Sequence, residues 1–71
     1  MEFSKVKKVK GFRNYLGLNQ TQMANRLGIS LAAYRNKEQG KTEWKDNERI
    51  IIKEMLAPYF IGLTIDDIFF D

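Results

Sequence analysis

A chain of 71 residues with no cysteine, no histidine and a net charge of +3 reads as one domain, spanning residues 1–71, near the lower size limit for folding without staples. That composition excludes disulfides, the usual zinc ligand sets and the familiar nucleophile–base pairs of covalent catalysis. No apolar run is long enough for a transmembrane helix, and the early lysines are followed by no signal-peptide core, so a cytoplasmic protein is expected.

The first expected helix runs from about Ser4 to Leu16. Val6, Val9, Phe12 and Leu16 recur at helical spacing, and Gly17 suits the residue that ends it. Asn19 is placed to cap a second helix over Gln20 to Leu27. Ala24 is small enough for a close helix crossing. Gly28 tolerates the positive φ that a tight turn demands, and Ser30 suits the N-cap of a third helix from Leu31 to about Gln39. Met23, Ala24, Leu27, Ile29 and Tyr34 are the expected shared core, and Arg35, Asn36 and Lys37 are expected to look outward.

Lys41 to Lys45 reads as a loop with Trp44 as its apolar anchor, against the rival reading of Trp44 on a nucleic-acid backbone or a partner. Asp46 is placed as the cap of a fourth helix whose apolar side is Ile50, Ile51, Met55 and Leu56. Pro58 has no N–H and collides with the preceding turn, so a break is expected near Ala57-Pro58. Thr64 caps a last short helix from Ile65 to about Phe69, with Asp66 and Asp67 in the first turn, where the helix dipole favours acids. No segment alternates as a strand does. The fold class is all-α with five helices.

Charge is divided unevenly. Residues 1–41 hold nine Lys/Arg against two Glu, whereas residues 42–71 hold three against seven acids. The first part suits a polyanionic partner, and Lys5, Lys7, Lys8 and Lys10 would add long-range attraction to it. Asp66 and Asp67 are neighbours on a helix and point apart, which argues for capping and against a catalytic dyad. There is no Gly-rich phosphate loop. No enzyme activity, cofactor or metal site is expected.

With these elements placed, the chain resembles the lambda/Cro-like repressor family, the XRE-type helix-turn-helix regulators, from about Val6 to Phe70. The resemblance rests on LGLNQTQMANRLGIS, followed by EQGK and the ending LTIDDIFF. The run YRNKEQGKTEW is similar to a branch common among phage-related regulators. It implies a five-helix lambda-repressor-like domain acting as a transcriptional regulator, usually a repressor, that binds double-stranded operator DNA as a homodimer. The helix after the turn, about 31–39, would enter the major groove.

Carried over by position, Leu31, Ala32, Arg35 and Asn36 face base edges, Gln20 contacts a phosphate, and Asn19 and Lys41 contact sugar-phosphate. Ser30 and Lys37 complete the expected DNA-contacting set. Lys37 stands where a large apolar residue is common, so either its stem packs on the core edge with its amine at a phosphate, or the third helix is rotated. Arg13 and Glu38 match a pair that in some relatives forms a salt bridge between the first and third helices. Leu31 and Ala32 leave thymine methyls as their only direct contacts, and hydrogen bonding falls to Arg35 and Asn36. The stretch from Trp44 to Thr64 is about a turn longer than in many relatives, which leaves the C-terminal geometry open. Phe60, Phe69 and Phe70 exceed what one small core absorbs, and an exposed remainder would mark a dimer interface. The rival reading is a protein-interaction module, an antitoxin or antirepressor on the same scaffold. A small-molecule effector stays open.

Overall fold

A computed structural model of the chain describes the backbone of residues 4–70 and the side chains of residues 8–70. Its order is α1 (Ser4–Tyr15), α2 (Gln20–Leu27), α3 (Leu31–Glu38), α4 (Asp46–Leu56) and α5 (Ile65–Phe69), with no strand among the described residues. The all-α expectation with five helices therefore holds. The expected roles of Val6, Lys5 and Lys7 lie outside the described side chains.

Local chemistry sets most of the boundaries. Asn19 accepts the Gln22 amide at 2.7 Å while the Gln22 side chain accepts the Asn19 amide at 2.8 Å, a reciprocal cap that starts α2. Gly28 closes α2 at φ +72°, and the Ile29 amide reaches back to the Ala24 carbonyl at 3.1 Å. Two residues later the Ser30 hydroxyl accepts the Ala33 amide at 3.1 Å and starts α3. The α2–α3 connection is thus short because a left-handed glycine and an N-cap follow each other almost directly. A Cβ built on Gly28 meets nothing within 4 Å, so the cost of Gly28→Ala is purely that of the backbone conformation. Thermal unfolding should show Gly28→Ala destabilised by about 1–2 kcal/mol. Gly28→Asn should lose less, since asparagine tolerates that region.

Each of the five helices contributes to the core. Val9 comes from α1, Met23, Ala24 and Leu27 from α2, Tyr34 from α3, Ile52 and Leu56 from α4, and Ile68 from α5. Ile29, expected among them, is half-buried at the core edge. Trp44 does anchor the α3–α4 loop, with its ring edge-on to Tyr34 at 5.8 Å and to Phe69 at 5.7 Å.

One cap differs from expectation. Asp46 is the first residue of α4, and Lys45 holds the cap position. The Glu48 carboxylate reaches back to the Lys45 amide at 2.8 Å, so the start of α4 is held by a side chain inside its first turn and not by one at the cap position. At the other end, α4 stops at Leu56, two residues before Pro58, and the Tyr59 and Phe60 amides both turn back to the Leu56 carbonyl. The Thr64 and Asp67 pair caps α5 reciprocally. The Lys8 ammonium donates to the carbonyls of Asp67 and Phe70 at 3.1 and 3.0 Å, joining α1 to the far end of the chain.

Candidate functional site

Two stripes divide α3. Tyr34, Lys37 and Glu38 are buried, while Ala32, Arg35, Asn36 and Gln39 are exposed. Each set follows the three-and-four spacing of one helix face. Leu31 is half-buried at the head of the helix and Ser30 is exposed beside it. Asn19, Lys41, Thr42 and Lys45 are exposed around it, and Glu43 is the one acid among these flanking positions. The outward stripe is therefore polar and cationic. Its only other carboxylate neighbour in sequence, Glu38, faces inward.

Glu38 explains how α3 is held. Its carboxylate accepts from Arg13 Nε at 2.8 Å, from Arg13 Nη2 at 3.4 Å, from the Tyr34 hydroxyl and from Gln20 Nε2 at 2.8 Å. Arg13 also donates to the Leu18 carbonyl at 3.0 Å and to Asn14. The pair expected between the first and third helices is thus present, with side chains only 8% and 5% exposed. Burial pushes the Glu38 carboxyl up, but the donors from Arg13, Tyr34 and Gln20 outweigh it and hold the group below its ordinary range. The hydrogen bond to Glu38 raises Arg13 further, and burial together with Glu38 raises the Tyr34 hydroxyl.

Lys37 does not stand where the outward reading put it. Its ammonium sits on Glu48 at 2.6 and 2.8 Å, with side chains 9% and 2% exposed. Residue 37 lies about 60° around the helix from Tyr34 and about 160° from Arg35, so it shares the buried stripe. A lysine there is tolerable because α4 places Glu48 opposite it. Glu48 is held below the ordinary carboxylate range despite its burial, through Lys37 and the Lys45 amide. Of the two alternatives for Lys37, the stem does pack at the core, but the amine belongs to Glu48.

Gln20 is half-buried and bridges two groups. Its amide nitrogen donates to Glu38, and its carbonyl accepts from Arg35 Nε at 3.2 Å. Local sequence patterns gave no sign of this link, because Gln20 and Arg35 belong to different helices and meet only when α2 and α3 cross. The Lys41 amide is tied to the Asn36 carbonyl at 2.8 Å, which sets where its exposed side chain leaves the end of α3.

Away from α3, two surfaces stand out. Tyr15, Tyr59 and Ile61 are exposed, Ile61 at 99%; the Tyr15 ring meets Tyr59 edge-on at 5.9 Å and lines a shallow groove of about 310 Å³ with Lys8, Gly11, Phe12 and Phe60. A second cleft of about 420 Å³ runs between the α3–α4 loop and α5, with Trp44, Arg49, Phe69 and Phe70 in its walls. Arg49 lies over the Phe70 and Phe69 rings at 5.4 and 5.9 Å. Of the three late phenylalanines, Phe70 is the exposed one at 48%, whereas Phe60 and Phe69 pack against the core. Among the described residues no three carboxylates gather as a metal site would require, and no helix is long and apolar enough to cross a membrane.

No family model matches this sequence, no curated protein is similar to it, and no solved structure matches it.

Proposed function

We propose that the protein binds double-stranded DNA sequence-specifically as a helix-turn-helix transcriptional regulator, with α3 in the major groove. The observation that carries this reading is the exposed stripe Ala32, Arg35, Asn36 and Gln39, displayed by a helix whose opposite side is pinned to Arg13 and Glu48. Arg35 and Asn36 are the groups able to read guanine and adenine edges. Lys41 and the first turn of α2, capped by the exposed Asn19, suit the phosphate backbone. Leu31 and Ala32 would offer only apolar contact to thymine methyls. Repression by occupying an operator is the simplest use of a unit this small. A phage or mobile-element setting follows from the resemblance alone.

The exposed pair Tyr15 and Tyr59, whose rings meet at 5.9 Å, supports a second copy on that face, so that two α3 helices address a palindromic site. The same patch favours the rival reading, a protein-interaction module, if it receives a different partner. Selection of bound sequences from a random duplex pool, followed by salt titration, separates these readings. The expected result is a palindromic consensus and an affinity that falls steeply with salt, with a log–log slope of about −0.9 per phosphate neutralised. Arg35→Ala should relax the preference at one position per half-site by about 1–3 kcal/mol. Lys41→Ala should weaken all sequences alike. Absence of duplex binding in dilute buffer would remove the reading.

A further inference from the structure

We propose that Gln20 is a positioning residue for Arg35: it relays the orientation of the buried Glu38 carboxylate to the guanidinium that α3 presents. This rests on the DNA-binding reading above for its functional meaning, but the link itself is a property of the free protein.

The argument is one of donors and acceptors. An ionised carboxylate only accepts, and Glu38 already gathers Arg13 and Tyr34 around it. The Gln20 amide must therefore turn its NH2 toward Glu38, at 2.8 Å, because its carbonyl there would face another acceptor. The carbonyl is then directed at Arg35, whose Nε–H donates to it at 3.2 Å. The reversed amide would fail at both ends at once, setting oxygen against oxygen and N–H against N–H. So the orientation of Gln20 follows from chemistry at both neighbours.

Arginine is a flexible side chain with five N–H donors. Once Nε is engaged by Gln20, the two terminal nitrogens of this exposed side chain keep their N–H donors for a partner. Rotamer freedom that an untethered arginine would surrender on binding is already restricted in the free protein. The buried cluster at the α1–α3 contact thereby gains a route to the readout surface. Gln20 supplies that route without touching a base.

The rival role for Gln20 is a direct phosphate contact, and the two roles differ in what they change. Gln20→Met keeps length and shape but removes both hydrogen bonds. Its fold is checked by thermal unfolding, and base preference is then measured by competition among the four base pairs at the position where Arg35→Ala loses discrimination. The expected outcome is a loss of discrimination at that position of roughly 5-fold, with little change elsewhere. In the Arg35→Ala background, Gln20→Met should change nothing further. A uniform loss at every sequence, or an equal effect in both backgrounds, would establish a phosphate contact and overturn the proposal.

A second measurement needs no DNA. In the free protein, the Arg35 Nε–H should show slowed exchange with water by nuclear magnetic resonance, and Gln20→Met should abolish that protection. Unprotected Nε–H in the unaltered protein would sink the relay outright. If Arg35→Ala leaves base preference intact, it is the DNA-binding reading that falls, while the exchange experiment still decides the link between the side chains.

Discussion

Glu38→Gln should destabilise the protein by about 3–5 kcal/mol in urea or thermal unfolding, because it strands the buried Arg13 guanidinium without its counter-charge. A chain of this length has a total stability on the order of 4–11 kcal/mol, so much of the folded population is at stake. The new amide cannot replace the carboxylate. It has one acceptor oxygen where Glu38 receives Arg13, Tyr34 and Gln20, and its NH2 would confront those donors. Arg13→Met combined with Glu38→Leu should recover part of the loss, since an apolar pair carries no desolvation penalty. A double variant as unstable as the single one would show that geometry, and not the stranded charge, dominates.

Acid should act on the same group. Glu38 and Glu48 are both held below the ordinary carboxylate range in the folded state. Their contribution is therefore complete above that range and is lost as pH falls through the depressed folded values. Glu38→Gln should flatten the acid limb of the stability–pH curve, and an unchanged limb would contradict the depression.

Glu48→Ala is the second large effect expected. It removes the partner of Lys37, which lies at 2.6 Å in a setting only 9% exposed, and frees the Lys45 amide at the start of α4. A loss of about 3–5 kcal/mol is expected from the stranded ammonium. Lys37→Met strands the Glu48 carboxylate in turn, itself only 2% exposed, so a loss of the same order is expected. Lys37→Met also separates structure from function. If the variant folds, its DNA affinity should keep the salt slope of the unaltered protein, whereas loss of a phosphate contact would reduce that slope by about one. A reduced slope would return Lys37 to the docking surface.

Lys37 also shows where local reading stops. Asn19, Gly28, Ser30 and Thr64 announce helix ends through their own backbone chemistry, and the structure places an end at each. Residue type, by contrast, suggests that a lysine belongs outside. Only its spacing from Tyr34, three positions on, places Lys37 with the buried stripe, and only the fold supplies Glu48. Asp46 misled in the same way. An acid before a helix looks like a cap, yet Glu48 serves the Lys45 amide from inside the first turn. The Arg13–Glu38 pair was legible through the family resemblance. Its extension through Gln20 to Arg35 was not, because it depends on how closely α2 crosses α3. The late phenylalanines divide as expected, with Phe60 and Phe69 packed inward and Phe70 exposed, whereas the open Tyr15 and Tyr59, at 60%, carry no mark in the sequence.

The bonds from Lys8 to the carbonyls of Asp67 and Phe70 have a consequence for biosynthesis. Val9 and Ile68 belong to one core although almost the whole sequence separates them. During translation α2 and α3 are made before α5 and already offer α1 the Glu38 side of its seat, but the side that takes Val9 and Lys8 stays incomplete until residues 65–69 have emerged. A nascent chain halted before that point would keep an open apolar flank, attractive to chaperones and proteases. The core is therefore complete only once α5 joins it.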